Sequence, residues 1–527
     1  MKKKFLAALG LAATLALASC NNAETPITKE GSTVSSTTKQ TTVQPTQTTK
    51  LEEPKEESVG PKYVFMFIGD GMSYPQIQSA AYYLNAVESG IDNGNKTSGA
   101  TVKGDYDLPF TKFSTTGTAK TFDASSYAPD SASTATSLAT GKKTWSGSIN
   151  VSTDFTVKYE TIAEKLKKQD YKIGVVSSVT LNHATPAAYY AHQKSRNDYY
   201  EIGKELIASN FDYFAGGALN KPNGSDGQQE SLYDLAEKSG YKVVKTQAEA
   251  EKLTKNDGKV IAISEYLADS SSMKYELDRT DDMWSLADYV DKGIEVLEND
   301  KGFFMMVEGG KIDWACHAND AMSSIKDTIA FSNAIDEAIE FYNDHPEETL
   351  IVVTGDHETG GLTIGYAGTN YDLYFNNLSN QKISFSKFDS DYVANYKKNN
   401  TALSDVLLDI QDKFGLVAPA NESTKKDNQL LLTDYEYSKL VEAYNQTMKT
   451  STKDISNQEK YDLYGTYEPL TVTLTHILNN KSGISFTSYS HTGLPTAVYA
   501  EGNGAELFDG YYDNTDIYNK LADLMNL

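Results

Sequence analysis

Through the body of the chain, apolar positions gather in short runs that end on glycine or on an acidic residue. Tyr63-Val-Phe-Met-Phe-Ile68 closes on Gly69-Asp70-Gly71, and similar runs recur at Lys172 to Ser177, Gly302 to Val307 and Leu350 to Thr354. A continuous apolar run of this length, bounded by turn residues, reads as a strand buried on both faces. Between these runs, Tyr159 to Lys168 and Ser323 to Tyr342 carry helical patterns. Strands alternating with helices predict an α/β domain built on a largely parallel sheet.

Ligands of such sheets collect beyond the carboxyl ends of the strands. Three of the runs deliver acidic residues there: Asp70, then Glu308 with Asp313, then Asp356 with His357. Taken singly, each has a plainer explanation. Gly-Asp-Gly after a strand is commonly a turn, and Asp313 with His317, at i and i+4 on one helix face, suits a surface ion pair as well as a cation. Their repetition at one end of one sheet is the first sign of a metal centre.

The chain's start is different. A basic Met1 to Lys4, an apolar Phe5 to Ala18 and the closing Leu17-Ala-Ser-Cys20 form a secretory signal, too short for a comfortable membrane span. Its end resembles a bacterial lipoprotein signal, which implies that residues 1–20 are that signal and that Cys20 carries the lipid. Residues 21–60 are rich in Thr, Ser, Lys, Glu and Pro and nearly devoid of large apolar side chains. That composition predicts a disordered tether between anchor and folded body, because too little surface is buried to offset ordering entropy. The expected location is the cell envelope, on its periplasmic or extracellular face.

Charge narrows the partners. Of 527 residues, 48 are Lys or Arg and 72 are Asp or Glu, a formal charge of −24. Such a chain repels phosphate polymers at long range, so no nucleic-acid polymer is expected as partner. A small phosphorylated substrate stays open, since bound cations can make one site locally positive. The 2 Cys residues cannot build a disulfide framework.

A nucleophile emerges from Ser125 to Gly141, where Asp130-Ser131 precedes a helical stretch of Ala, Thr and Leu. A serine at a helix N-terminus sees free N–H groups and the positive end of the dipole, which favour phosphate; alone it is simply a capping residue. Together with other pieces it becomes specific. Phe67-Ile-Gly-Asp-Gly-Met72, Asp130-Ser-Ala-Ser-Thr-Ala-Thr136, His183-Ala-Thr-Pro-Ala-Ala188, Ser195-Arg196, Val307-Glu-Gly-Gly-Lys-Ile-Asp313 through His317, Thr354-Gly-Asp-His357 and Ser490-His-Thr-Gly493 follow one another in the chain. As a set, from about Lys62 onward, they resemble the alkaline phosphatase family.

The resemblance implies a three-layer α/β/α sandwich with a crown-like insertion, and hydrolysis of small phosphate monoesters through a phosphoserine at Ser131. It implies two Zn2+ and one Mg2+. One zinc falls to Asp313, His317 and His491, and the other to Asp70, Asp356, His357 and the Ser131 oxygen. Magnesium shares Asp70 and takes Thr185 and Glu308, with His183 acting through a water. Arg196, whose planar fork matches two phosphate oxygens, binds substrate. Trp314 stands either at the border of the phosphate site or in packing. Where some relatives carry Asp and Lys or His, this chain has His183 and Trp314, which makes the third cation set less acidic. A homodimer is common in the family.

Other residues are expected to be bland: Cys316 a buried thiol, Glu358 part of a turn, and His192, His345 and His476 surface or packing residues. The catalytic domain is expected over 61–527. Within it, about 365–482 is polar and reads as an insertion, with helices near Leu403 to Phe414 and Thr433 to Lys449. Two alternatives stand beside the phosphomonoesterase. A phosphodiesterase or sulfatase of the same superfamily is disfavoured by Ser131 with Arg196 and by the absence of Cys-x-Pro-x-Arg. A surface lipoprotein that only binds is disfavoured by the full ligand set.

Overall fold

A computed structural model describes residues 60–419 and 428–527. The lipidation at Cys20 and the tether expectation therefore lie outside the described residues. Among these, no helix is long and apolar enough to cross a membrane.

A sheet of 10 strands organises the chain. In chain order its first eight are β1 (Tyr63–Gly69), β2 (Thr115–Lys120), β3 (Lys172–Ser177), β4 (Tyr213–Gly216), β5 (Tyr241–Val244), β6 (Lys259–Ile263), β7 (Phe303–Glu308) and β8 (Thr349–Gly355). Thr496–Gly502 and Gly510–Asp513 complete it. Across the sheet the order runs Gly510–Asp513, β2, Thr496–Gly502, β8, β1, β7, β3, β4, β6, β5. Within this sheet a single strand, Thr496–Gly502, runs against its neighbours β2 and β8; the other pairings are parallel. The expected mostly parallel sheet is what forms.

Strand β1 shows why the run of apolar letters is unbroken. Tyr63, Phe65 and Phe67 join one apolar cluster, while Val64, Met66 and Ile68 join a second on the other face. The first is closed by helices Leu286–Leu297 and Ala321–Asp344, and the second by Ser131–Thr140, Ile162–Lys168 and Thr515–Leu524. These are the three layers. Each such side chain fully buried contributes about 1.5–3 kcal/mol of transfer free energy.

Helix starts follow local capping rather than periodicity. The helix expected from Tyr159 begins at Ile162, because Thr161 accepts from Glu164 N and Glu164 answers on the Thr161 N–H. The one expected from Ser323 begins at Ala321, with Asp320 accepting from Ser323 N at 3.0 Å. Leu403–Phe414 and Asp434–Met448 lie where the pattern placed them. In the interval read as an insertion, Phe388, Val406, Ile410, Phe414, Leu440, Leu470 and Leu474 enter the same apolar cluster as Phe65 and Phe67. This segment is packed onto one layer of the sandwich.

Candidate metal centre

The carboxyl ends of three adjacent strands, β8, β1 and β7, carry Asp356, Asp70 and Glu308, all buried. The neighbouring β3 ends on Ser177, which donates to Glu308 Oε2. Gly71 makes the close approach possible: at φ +71°, a Cβ there would meet Asp313 Cα at 2.9 Å and Thr359 Oγ1 at 2.8 Å. Three acidic and imidazole groups converge here: Asp313 with His317 and His491, Asp70 with Asp356 and His357, and Asp70 with His183 and Glu308, each with ligand atoms within 4.8 Å of one another.

In the first group the hydrogen bonds fix the tautomers. Nδ1 of His317 lies 2.6 Å from the Tyr489 carbonyl, and Nδ1 of His491 lies 2.6 Å from that of Pro129. A carbonyl can only accept, so both Nδ1 atoms carry a hydrogen, and in the neutral ring each Nε2 presents a lone pair. Those lone pairs face each other at 3.1 Å and face Asp313 Oδ1 at 3.4 and 3.5 Å. Two lone pairs and a carboxylate pointing at one place with no hydrogen among them fit a cation, and the carbonyls behind the rings are the usual support of ligating histidines.

The second group is tied to the first by Thr359, which donates to Asp313 Oδ1 at 2.5 Å and so accepts from His357 Nδ1 at 3.3 Å. His357 Nε2 then faces Ser131 Oγ at 3.1 Å, Asp70 Oδ1 at 3.2 Å and Asp356 Oδ2 at 3.5 Å. Asp356 is held by the N–H groups of Gly71 and His357 and by Thr134 Oγ1 at 3.1 Å. In the third group, Asp70 Oδ2, Glu308 Oε1, Thr185 Oγ1 and His183 Nδ1 are buried with no hydrogen-bond partner among the described residues. Orphaned buried acceptors on both carboxylates and a hydroxyl fit a hard cation with oxygen ligands.

The electrostatics of the chain alone agree. Burial and then the Asp70 charge push Asp356 up to about 8, and the same causes raise Glu308 well above the carboxylate range. Burial lowers His357, yet the charges of Asp356 and Asp70 raise it to about 10. Burial also works to raise Asp70, but the His357 hydrogen bond and charge hold it below the usual carboxylate range. His183 falls to about 4 through burial and the Arg196 charge, and His491 to about 4 through burial and the His357 charge. Protons thus take up the role that cations fill when bound.

Ser131 opens the helix Ser131–Thr140, with Asp130 as its cap accepting from Ser133 N at 3.1 Å. The Ser131 Oγ lies 3.3 Å from Asp70 Oδ1. Arg196 binds the other oxygen of Asp130 at 2.8 Å and approaches His183 Nε2 at 3.2 Å. Trp314 meets His183 edge-on at 5.8 Å and lies under the buried Lys311 ammonium at 4.7 Å. The structure therefore brings together Asp70, Ser131, His183, Thr185, Arg196, Glu308, Asp313, Trp314, His317, Asp356, His357 and His491.

Sequence reasoning missed Asp130 as the partner of Arg196, Thr359 and Thr134 as carboxylate donors, and the Pro129 and Tyr489 carbonyls. Asp130 carried a signal, its acidic character beside Ser131; the carbonyls carry none. Glu358 accepts from Gly361 N, Leu362 N and Gln76 Nε2, a turn role, and Cys316 is fully buried against Ser324.

Comparison with known proteins adds independent support. The family model "Alkaline phosphatase" matches residues 61–527. Alkaline phosphatase 4 of Bacillus subtilis (strain 168) is 30% identical over 487 residues, 91% of this chain and 92% of that protein. Alkaline phosphatase of Escherichia coli (strain K12) is 28% identical over 342 residues, 56% of this chain and 70% of that one. Among solved structures, the cold-active alkaline phosphatase of a psychrophilic Shewanella sp. matches with a TM-score of 0.69 at 28% identity, covering 88% of this chain and 99% of that one. With carboxylates, imidazoles and a buried serine gathered at the strand ends, the chain belongs to the alkaline phosphatase family and is a metal-dependent phosphomonoester hydrolase.

Proposed function

We propose that Ser131 is the nucleophile of a phosphoserine pathway and that the centre takes two zinc ions and one magnesium ion. Asp313, His317 and His491 would hold one zinc, and Asp70, Asp356, His357 and Ser131 Oγ the other. Asp70, Glu308 and Thr185 would hold magnesium, with His183 facing it through a water. Nitrogen-containing sets suit zinc, and the oxygen set suits magnesium. Bound there, the ions supply Lewis acidity that favours the ionised serine and stabilises the leaving oxygen.

The observation that carries this reading is the placement of Ser131 Oγ. It sits at a helix N-terminus, 3.1 Å from His357 Nε2 and 3.3 Å from Asp70 Oδ1. Ser131 attacks phosphorus in line, and the ester oxygen leaves. Arg196, anchored by Asp130, grips two non-bridging oxygens and holds phosphorus over Ser131. Water then displaces Ser131, releasing inorganic phosphate with net retention at phosphorus. Trp314, beside His183, borders the same phosphate position.

Metal analysis of the purified chain, together with hydrolysis of a monoester and a diester by wild type and Arg196→Ala, tests the proposal. Two zinc and one magnesium per chain are expected, with monoester preference in the wild type. Loss of charge-assisted hydrogen bonds of this kind costs about 1.5–3 kcal/mol, so Arg196→Ala should weaken phosphate inhibition by about 10- to 100-fold and erode that preference. An unchanged phosphate inhibition constant would remove the role given to Arg196.

We further propose that Cys20 is lipidated, that residues 21–60 tether the enzyme to a membrane at the cell envelope, and that the enzyme forms a homodimer. The signal-like residues 1–20 and the family resemblance support this. Wild type should partition into detergent and Cys20→Ser into the aqueous phase; equal partition would count against the anchor.

A further inference from the structure

Two residues beyond His317, Asn319 is buried and adopts a left-handed backbone at φ +51°. Its side-chain amide is fully used. Nδ2 donates to the Cys316 and Ser488 carbonyls, each at 2.9 Å, and Oδ1 faces His476 Nε2 at 2.9 Å. Since the two carbonyls can only accept, the amide orientation is fixed, and His476 must donate from Nε2. The Asn319 backbone carbonyl in turn accepts from Asn479 Nδ2 at 2.7 Å. His476 and Asn479 both stand on the helix Pro469–Ser482, at the end of the polar 365–482 interval.

Ser488 is the residue before Tyr489, whose carbonyl takes the hydrogen of His317 Nδ1 at 2.6 Å. The same short stretch is pinned from the other side, where Ser488 N donates to the Gly360 carbonyl at 3.0 Å. The Tyr489 ring packs against His476 at 5.9 Å and Tyr467 at 6.2 Å. An unbroken chain of contacts therefore runs from Pro469–Ser482 through Asn319 and the Ser488–Tyr489 backbone to one ring of the Asp313, His317 and His491 set.

We propose that Asn319, keyed by His476 and Asn479, is a positioning residue for the cation of that set. It fixes the Tyr489 carbonyl so that His317 stays in its Nδ1–H form with the Nε2 lone pair turned to the point shared with Asp313 and His491. The polar interval thereby sets the affinity of one metal position and leaves the Asp70, Asp356 and His357 position alone. This rests on the zinc reading given above.

The test is zinc retention by the full-length protein during titration with a competing chelator, together with the visible spectrum of the cobalt(II)-loaded form. Asn319→Gly keeps the left-handed backbone and removes only the amide. It should weaken one of two zinc positions by about 10-fold, the lower end of the cost of losing a partner behind a ligand, because Asn319 acts on the Tyr489 carbonyl through Ser488, and it should alter one cobalt band set. His476→Phe should weaken the same position, and His476→Gln, which keeps a donor toward Asn319, should restore it. If Asn319→Gly retains both ions with wild-type affinity, Asn319 is only a turn residue and the proposal falls. If His476→Phe and His476→Gln behave alike, the keying by the polar interval falls. Failure of wild type itself to hold two zinc ions would instead overturn the reading of the centre, and the proposal with it.

Discussion

If Ser131 is the nucleophile as proposed, Ser131→Ala should abolish the covalent phosphoenzyme and lower kcat by about three to six orders of magnitude, the range expected when a nucleophile is removed and its surroundings stay intact. The surroundings do stay intact. The helix that Ser131 opens is capped by Asp130, whose carboxylate accepts from Ser133 N, so the cap survives the substitution. Ser131 Oγ faces His357 Nε2 and Asp70 Oδ1, and those two groups stay paired with each other at 3.2 Å without it. Thermal stability should therefore change little, and the residual rate measures what Arg196 and the cations do for a direct attack by water. Rapid quenching with a radiolabelled monoester reads the result: acid-stable label on Ser131 in the wild type and none in the variant. Label or near-normal turnover in Ser131→Ala would falsify the assignment.

Stripping the cations has an equally large effect on turnover and a distinct signature in stability. In the metal-free chain Asp356 is raised from 3.8 to about 8, so the folded state keeps a proton that the unfolded state has lost. That contribution is complete below the ordinary carboxylate range and is gone once pH passes about 8. His357, raised from 6.5 to about 10, contributes stability that is complete below about 6.5 and lost as pH rises through about 10. His183 and His491, lowered from 6.5 to about 4, act oppositely; their contribution is complete above about 6.5 and is lost as pH falls through about 4. Of these four groups, only Asp356 and His357 change their contribution above neutrality, and Glu308, raised by burial and the Asp70 charge, acts in the same direction as Asp356. The Tm of chelator-treated protein should therefore fall steadily from pH 7 to about pH 10 while that of the metal-loaded protein stays nearly level, because its carboxylates are already ionised ligands. Parallel Tm profiles for the two forms would show that these groups do not need a cation.

The acidic residues at the strand ends were legible in the sequence because parallel strands buried on both faces betray themselves as unbroken apolar runs. The residue after each run then has a known address. Asp70, Glu308 and Asp356 are such residues, whereas Ser131, Thr185, Arg196 and His491 stood out only through the resemblance of the whole set of motifs to the alkaline phosphatase family. Their supports were not legible. The Pro129 and Tyr489 carbonyls that set two tautomers belong to the backbone, and any residue type supplies one. Thr359 and Thr134 are ordinary hydroxyls until folding points them at Asp313 and Asp356. Strand order was equally hidden: periodicity reports burial, not neighbours, so nothing in Thr496–Gly502 announced a reversed strand between β2 and β8. The polar composition of 365–482 suggested an insertion, and periodicity did not say that apolar residues spread through it enter the main core.

That reversed strand has a consequence for how the fold and the site hold together. Thr496–Gly502 is what joins β2 and Gly510–Asp513 to the rest of the sheet, and it follows within a few residues of His491. Without Thr496–Gly502 the sheet is divided between β2 and β8, and without His491 the Asp313 and His317 group lacks its second imidazole. Joining of the two parts of the sheet and completion of the Asp313, His317 and His491 group therefore depend on one short stretch of chain, 491–502.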